Sequence, residues 1–481
     1  MSPSSPRVTG GALKRLLDCE RRLWLSEHAR DAAAARTEHD EVLGERNRSL
    51  EDVVAAGVPR LSDPVLRAGV SFDGAAAETV RLLRETDLSL RRPVLVSADG
   101  RCTATPAFIL REGDALVIRD VRLAHRPERK RENRVRVSFA GWLARQVSGR
   151  DVVRLEIVNG LGQVVVVEPE PDDELARLTS RTLEVLGDSP EPDLLLSHSH
   201  CQHCDHYAHC WDRAEAEHRI EVVPLVTRTR AELLHAEGIR TFDQLAARTP
   251  ESLTHPDLKP YSPLLLAEAR AWATGTPVWL RDPGLPRGRT PVWFDVESDS
   301  EGELATVPVY LWGLAVGHGE AHAEALLAEL DAAGDRDAWQ RFVTRALAVL
   351  RRHPDAVWVH WDSAEPMWLE RYIARLGATG EFVTRMRAPG ALFDLHRALE
   401  RSVRLPLRST SIKFVAPWLG FRWSNPDADA AWSTAQLHRA RAAADPAERE
   451  RLLAEVARYN ADDLRAMQTV WEWMEARRAH A

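Results

Sequence analysis

The chain has 481 residues and a net charge of −8, and 44% of its residues are hydrophobic against 28% that are charged. This length favours two or three domains, and the composition is that of a folded globular protein. The negative balance excludes a globally basic nucleic-acid-binding protein but is compatible with a local basic groove.

The apolar runs and the cysteines indicate the cellular compartment. The longest apolar runs, such as residues 163–169, have the length of strands and are too short to span a bilayer. Residues 1–25 lack the apolar run of a signal peptide. Five cysteines are too few for a disulfide framework in a chain of this length. We therefore expect a cytoplasmic protein without a membrane partner, whose cysteines bind a metal.

The first block, residues 1–215, mixes helical and strand-like patterns. It begins with a helical pattern over residues 15–29 and has a second one over residues 172–187. Strand-like runs lie between them, at residues 93–98, 105–112, 114–124, 152–160 and 163–171. This mixture predicts an α/β domain.

A cysteine cluster ends the first block. Cys201, Cys204 and Cys210 supply three ligands for a metal that takes four. The fourth ligand is either a local histidine, His206 or His209, in a zinc site or a distant cysteine in an iron–sulfur site. The local spacing does not decide between the two metals. Cys102 lies in a strand-like run and is predicted to be a small core residue.

Residues 218–275 form a second, small helical block. Two helical patterns flank a turn at Gly238-Ile239, which is typical of a helix-hairpin-helix-like module. Such a turn either presents N–H groups to a phosphate or serves only for packing. The Pro-, Gly- and Arg-rich stretch 281–290 then marks a linker or domain boundary.

The third block, residues 291–481, alternates strand-like runs with helical patterns, which predicts a further α/β domain. Asp295 and Glu297 lie two residues apart in its first apolar run, so their side chains share one face of a strand. Two carboxylates on a buried strand need a counter-charge, which a divalent cation supplies. Acids at an exposed strand end are the alternative. Tyr459 and Asp463 lie four residues apart on a predicted helix and share a face there.

These residues carry a resemblance to a known class of enzymes. Residues 291–481 resemble the ribonuclease-H-like, DnaQ-type 3′–5′ exonucleases of the DEDDy class, through Asp295-Val-Glu297 and Tyr459-Asn-Ala-Asp-Asp463. The resemblance implies that Asp295, Glu297 and Asp463 bind two Mg²⁺ or Mn²⁺ ions and that Tyr459 orients the attacking water.

The same resemblance implies a fourth carboxylate after a strand, within the segment His360-Trp-Asp-Ser-Ala-Glu365. Glu365 takes this position, with Asp362 as its competitor and Asp394 as a nearby accessory. The segment departs from the usual Asn and Asp of that class, so the fourth ligand is the least defined.

The first block carries a second resemblance. Cys19 lies far ahead of the cluster and completes a split set of four cysteines with Cys201, Cys204 and Cys210. This set resembles RecB-like nucleases with a restriction-endonuclease-type α/β core. The resemblance implies a [4Fe–4S] cluster that ties the start of the core to its end. The order of the blocks, with residues 405–425 and 459–474 at the end, resembles one bacterial family of RecB-like nucleases over nearly the full length.

The active site implied by this second resemblance is incomplete. RecB-like nucleases carry a PD-(D/E)xK pattern, but here Ala107 replaces the first Asp and Arg122 replaces the Lys after Asp120. Alanine cannot bind a metal, and arginine is a poor substitute for a proton-handling lysine. Asn47 lies near the place of an expected metal-facing histidine. The first block is therefore predicted to be catalytically degenerate. Its basic stretch, residues 122–137, is either a phosphate contact or a solvated loop and helix start.

These patterns predict a metal-dependent nuclease that hydrolyses DNA or RNA through its C-terminal block, while the first block binds or guides the strand. A helicase or repair protein is a compatible partner. The alternative is a non-catalytic nucleic-acid-binding or scaffold protein built from nuclease folds, and a weaker one is a redox-sensing regulator. The chain has no G-x-x-x-x-G-K-[ST] loop, so it is not itself an ATP-driven motor.

Overall fold

A computed structural model describes residues 7–34, 38–63, 71–198, 201, 204–299, 308–319, 322–329 and 331–478. The chain divides into two compact units. The first runs to Leu195 and includes the cysteine segment up to Cys210, and the second includes Leu196–His198 and everything from Trp211 onward. No helix within the described ranges combines the length and the apolarity needed to cross a membrane.

The first unit contains the predicted mixture of helices and strands. Its helices are α1 (Gly10–Asp18), α2 (Glu20–His28), α3 (Glu38–Ala56), α4 (Phe72–Glu85), α5 (Arg131–Ser148) and α6 (Asp172–Leu186). Its strands are β1 (Val8–Thr9), β2 (Leu61–Ser62), β3 (Ser89–Arg91), β4 (Leu95–Val96), β5 (Cys102–Ala104), β6 (Phe108–Glu112), β7 (Ala115–Val121), β8 (Val152–Val158) and β9 (Val164–Val167).

One predicted helix of this unit is divided. The helical pattern over residues 15–29 continues through Cys19, but the backbone of Cys19 is extended, with φ −170° and ψ 124°. Cys19 therefore ends α1 and precedes α2, which places a partly buried cysteine at a helix junction.

Two sheets organise the first unit. One has six strands in the order β2-β3-β6-β7-β8-β9, and the other has three in the order β1-β5-β4. β6 and β7 are antiparallel, whereas β7 and β8 are parallel and are connected through α5. Buried side chains such as Leu13, Ile118, Phe139 and Leu175 form the core between helices and sheet. Cys102 belongs to this core, as predicted.

The predicted helical block lies in the second unit. α7 (Tyr207–Ala216) spans the change between units, and α8 (Arg228–Ala236), α9 (Phe242–Ala246) and α10 (Ser262–Thr274) follow. α8 and α9 flank the predicted turn, where Gly238 has a φ of +76° that favours glycine. Thr241 begins α9 in a capping box with Gln244.

The rest of the second unit is again mixed. Its strands are β10 (Val278–Trp279), β11 (Pro291–Ser298), β12 (Val309–Val316), β13 (Glu324–Leu327), β14 (Val357–His360), β15 (Leu392–Asp394) and β16 (Val403–Arg404). Its helices are α11 (Ala332–Arg352), α12 (Ala364–Leu376), α13 (Gly380–Met386), α14 (Leu395–Ser402), α15 (Ile412–Trp418), α16 (Ala430–Ala442) and α17 (Pro446–Arg478). The stretch 281–290 is irregular, as expected of a connection.

A five-stranded sheet is the centre of this unit. Its order is β13-β12-β11-β14-β15, with β11 antiparallel to β12 and parallel to β14. Alternate side chains of β11 enter two different cores. Phe294 packs with Trp312 and Phe342 on one face, whereas Trp293 packs edge-on against Trp471 of α17 on the other. The face of β11 that carries Trp293 is therefore the face covered by α17.

Candidate active site

Three carboxylates converge where α17 covers β11. Asp295 and Glu297 continue the face of Trp293 along β11, and Asp463 projects from α17. One carboxylate oxygen from each of the three lies within 4.8 Å of the others. Glu297 and Asp463 are buried, and Asp295 is partly buried. Periodicity predicted that Asp295 and Glu297 share a strand face, whereas their meeting with Asp463 was implied by the resemblance.

The other two predicted site residues lie beside this trio. Glu365 is buried in the first turn of α12, directly after β14, and its carboxyl interacts with that of Asp295. Tyr459 lies one helical turn before Asp463, and its hydroxyl interacts with the Asp463 carboxylate. The structure therefore brings Asp295, Glu297, Glu365, Tyr459 and Asp463 together.

The competing carboxylates are placed less favourably than Glu365. Asp362 has a left-handed backbone with φ 73°, and its side chain is mostly exposed. Asp394 is the N-cap residue of α14, where its Oδ1 accepts a hydrogen bond of 2.8 Å from the Arg397 N–H. Both still contribute to raising the pKa of Glu365, so they belong to its surroundings.

Burial and mutual repulsion determine the charge of this cluster. Burial raises the pKa of Asp295 and of Glu297 well above their usual range, and neighbouring carboxylates raise both further. Burial also raises the pKa of Asp463, and it raises that of Glu365 to about 8. Without a cation, the cluster therefore retains protons at neutral pH.

The donor set fits a hard divalent cation. All the convergent ligands are carboxylate oxygens, which Mg²⁺ and Mn²⁺ prefer. The Glu365 Oε2 is buried and makes no hydrogen bond within the described part of the chain; its neighbour, His360 Nδ1, is 3.7 Å away. A buried carboxylate oxygen without a donor is costly, and a bound cation or its water would satisfy it.

Lys413 is a site residue that the sequence reasoning missed. Its Nζ donates to Asp463 Oδ1 at 2.9 Å and lies 4.0 Å from the ring centre of Trp423 and 4.1 Å from that of Tyr459. The Trp423 Nε1 donates to the same oxygen at 2.8 Å. One signal was available, since Lys413 is one of only four lysines in the sequence.

Asn460 is the second missed residue. Its Nδ2 donates to Asp295 Oδ2 at 2.6 Å and so fixes the orientation of that carboxylate. Gly313 pairs with Asp295 across β11 and β12, and a Cβ atom at residue 313 would overlap the Asn460 Oδ1. Glycine at this position therefore lets α17 approach the sheet closely enough for the contact.

A cavity of about 360 Å³ opens beside the carboxylates. Asp295, Tyr459, Asp463 and Lys413 form its polar side. Trp361, Ile412 and Met467 form an apolar side, and the N-terminus of α16 borders it. The Trp361 ring stacks on His396 with centres 5.1 Å apart, which holds the indole in place. An apolar, aromatic wall next to a metal site suits an organic ring joined to an anionic group.

The cysteines of the first unit also approach one another. Burial raises the pKa of the Cys210 thiol, and the nearby Cys19 raises it further. Burial likewise raises the pKa of the Cys204 thiol, and the nearby Cys201 raises it further. Arg22 of α2 forms an ion pair of 2.8 Å with Asp205, which joins the Cys19 junction to the cysteine segment. None of the five cysteines forms a disulfide.

The predicted degenerate site of the first unit is filled by ion pairs. The register of β6 and β7 places Ala107 next to Asp120. Asp120 Oδ2 is 2.6 Å from Arg122 Nη2 and 3.3 Å from Arg136 Nε. Glu51 of α3, a second acid near this site, is paired with Arg91 and Arg92. Arginines therefore neutralise both Asp120 and Glu51.

The basic stretch 122–137 is the predicted loop and helix start. α5 begins within it at Arg131, and part of its charge is used internally. Arg131 pairs with Glu174 at 2.5 Å, and Arg134 pairs with Glu170 at 3.4 Å. Surface pairs of this kind stabilise little, so a phosphate could displace them. The phosphate contact, the other alternative for this stretch, stays a prediction.

A sheet in which the central strand and a covering helix both supply carboxylates defines an acidic, divalent-metal type of site on an α/β domain. A family model described as RNase_H superfamily matches residues 292–475, which include all five predicted site residues. No curated protein matches the chain. The C-terminal region is thus ribonuclease-H-like, which indicates a metal-dependent, nuclease-type hydrolase of nucleic acid.

Proposed function

We propose that the protein is a 3′–5′ exonuclease of DNA or RNA, with catalysis in residues 291–481. The observation that carries this proposal is the convergence of Asp295, Glu297 and Asp463 within 4.8 Å of one another, beside Glu365 and Tyr459. Two Mg²⁺ or Mn²⁺ ions held by the four carboxylates would activate a water and stabilise the leaving oxygen of a phosphodiester.

The protein's own side chains have separate roles in this proposal. Asn460 holds the Asp295 carboxylate, and Trp423 holds that of Asp463, so both ligands are preorganised. Tyr459 positions the attacking water through its hydroxyl, which stays neutral because burial and nearby carboxylates raise its pKa. Lys413 supplies a fixed positive charge at the edge of the cluster.

The cavity supports attack at a strand end. Its volume of about 360 Å³ lies near the lower limit of small-ligand pockets, roughly 300–1,000 Å³. We infer that a pocket of that size holds a single nucleotide. Trp361 offers a ring against which a base can stack, an interaction that tolerates every base.

A cleavage assay with matched variants tests the proposal. The full chain, purified anaerobically, is incubated with single- and double-stranded DNA and RNA labelled at the 5′ end, with Mg²⁺ or Mn²⁺. We expect a ladder of products that shorten from the 3′ end, lost in Asp295→Ala and Asp463→Ala. Glu472→Ala is the control, since Glu472 is an exposed acid on the same helix, α17. Cleavage that survives both active-site substitutions would refute the assignment.

For the first block we propose a RecB-like, catalytically degenerate domain over residues 1–215, followed by a helical module over residues 218–275. We propose that its Cys19, Cys201, Cys204 and Cys210 bind a [4Fe–4S] cluster. The support is the electrostatic contact between Cys19 and Cys210 and the ion pair that joins their segments. When bound, the cluster would serve as a structural tie, and the domain would bind or guide the strand.

Metal analysis separates this cluster from a zinc site. We expect iron and acid-labile sulfide in the wild-type protein, and their loss in Cys19→Ser but not in His206→Ala. A colourless protein that contains zinc, keeps it in Cys19→Ser and loses it in His206→Ala would instead establish the local Cys₃His site.

One observation favours a second candidate, a non-catalytic nucleic-acid-binding scaffold. The Lys413 ammonium group lies 2.9 Å from Asp463 Oδ1, so a metal ion at this carboxylate would compete with it. Calorimetric titration with Mn²⁺ discriminates between the two functions. Saturable binding that Asp463→Ala abolishes supports the nuclease, and absence of binding together with absence of cleavage supports the scaffold.

A further inference from the structure

The degenerate site of the first unit retains a cavity. Two adjoining cavities of about 330 and 310 Å³ share Phe72, Thr105, Pro106, Asp120 and Arg136 as lining residues. Both lie beside the ion pairs of Asp120, and neither belongs to the carboxylate cluster of the C-terminal region. Their chemistry is therefore a separate question.

The walls of these cavities carry more positive than negative charge. Among the described residues, the lining includes three arginines, Arg92, Arg122 and Arg136, and two acids, Glu51 and Asp120. Arg122 and Arg136 share a single oxygen of Asp120. The Arg122 Nη1 also donates to the Val121 carbonyl at 2.7 Å. One carboxylate and one carbonyl cannot satisfy all the donors of two guanidinium groups, so hydrogen-bonding capacity remains for an anion.

A helix end adds to this positive wall. Thr9, Gly10 and Gly11, at the start of α1, line the first cavity. A Cβ atom on Gly10 would lie 3.0 Å from Arg136 Cγ, so the absence of a side chain lets Arg136 pack against the first turn. The N-terminus of a helix is itself positive. The Arg136 guanidinium and this helix N-terminus are both positive, so an anion bound between them would be attracted by both.

We propose that this cavity binds a backbone phosphate of a nucleic-acid strand, without a metal ion, through Arg136 and Arg122. Ala107 supplies no carboxylate, and Asp120 and Glu51 are already paired with arginines, so the described residues of this cavity offer a cation no free ligand set. Arginine offers planar, paired donors that match phosphate oxygens. The proposed function supplies the ligand class, a nucleic acid, whereas the binding step itself needs no catalysis.

A binding titration in excess EDTA tests the proposal independently of cleavage. The full chain is titrated against a fluorescent single-stranded oligonucleotide at several salt concentrations. We expect R136Q to weaken binding about tenfold and to reduce the slope of log affinity against log salt by about 0.7. R177Q is the control, since Arg177 is an exposed, ion-paired arginine of α6 in the same unit.

A second variant predicts a change of the opposite sign. D120N removes the carboxylate that competes with phosphate, so it should tighten binding severalfold, whereas at a metal site the same change weakens binding. Because D120N leaves Arg122 without its partner, its folding is checked by circular dichroism, and R136Q decides alone if it unfolds.

Three results would overturn the proposal: wild-type affinity in R136Q, loss of binding on adding EDTA, or weaker binding by folded D120N. If inorganic phosphate binds as tightly as the oligonucleotide, the ligand is free phosphate and a nucleic-acid strand is excluded. Failure of the proposed nuclease activity would leave every one of these readouts unchanged, because none of them involves cleavage.

Discussion

Substituting Glu365 by glutamine should make the metal-free protein less sensitive to pH. Burial raises the pKa of Glu365 from 4.5 to about 8, with further contributions from Asp362 and Asp394. The folded protein therefore keeps a proton that the unfolded chain releases near pH 4.5. The resulting stability is fully present below that pH and is lost as the pH rises through about 8.

The effect is large enough to measure. A difference of one pKa unit between folded and unfolded states is worth about 1.4 kcal/mol, so full expression of the raised pKa of Glu365 amounts to about 5 kcal/mol. This is comparable with the whole unfolding free energy of many domains, about 5–15 kcal/mol. At about 2–4 °C per kcal/mol for a unit of this size, the melting temperature should fall by about 10–20 °C as the pH rises from 4.5 to about 8.

Thermal unfolding in EDTA, from about pH 5 to about pH 8, measures this effect in the wild type, Glu365→Gln and Glu472→Gln. We expect a shallower decline in Glu365→Gln only. Added Mg²⁺ should stabilise the wild type more at the higher pH, because the cation replaces protons as the counter-charge. An unchanged pH slope in Glu365→Gln, or equal stabilisation by Mg²⁺ at both pH values, would contradict the proton-holding cluster.

Three further predictions concern the surroundings of the carboxylates. Lys413→Met should lower metal-free stability by about 2–3 kcal/mol and enlarge the rise in melting temperature on adding Mg²⁺, with Lys413→Arg intermediate in both. Gly313→Ala should displace Asn460 from Asp295 and strongly reduce the rate of cleavage. The free energy of unfolding, measured by denaturant titration, should fall by only about 1–3 kcal/mol, so that the variant remains folded. Trp361→Ala should raise KM about tenfold because the stacking of the terminal base is lost, whereas Trp361→Phe should leave KM nearly unchanged. On a substrate with an abasic 3′ end, Trp361→Ala and the wild type should have the same KM.

The parts of the site that could be predicted are those that follow from local periodicity. Asp295 and Glu297 share a face because a strand has a period of two, and Tyr459 and Asp463 do so because four residues make about one helical turn. Glu365 was implied by the resemblance and stays a prediction as the fourth ligand, although its carboxyl interacts with that of Asp295.

The parts that could not be predicted depend on contacts between distant segments. Lys413 reaches Asp463 across 50 residues, and Asn460 reaches Asp295 across 165. No local pattern indicates that Gly313 faces Asn460, since this requires the antiparallel pairing of β11 and β12. The break at Cys19 was also hidden, because its neighbours continue a helical pattern on either side.

The carboxylates around Asp295 and the carboxylate of Asp120 are neutralised in different ways. Two carboxylates within 4.8 Å of each other, at an effective dielectric constant of about 20, repel by about 3 kcal/mol or more. In the C-terminal trio, one lysine offsets only part of this repulsion, so a divalent cation is strongly favoured. At Asp120, two arginines neutralise one acid permanently, because a guanidinium does not lose its proton. A cation gains nothing there, whereas a phosphate does. In the proposed function, the first block would therefore hold a strand, and cleavage would take place at the carboxylates around Asp295.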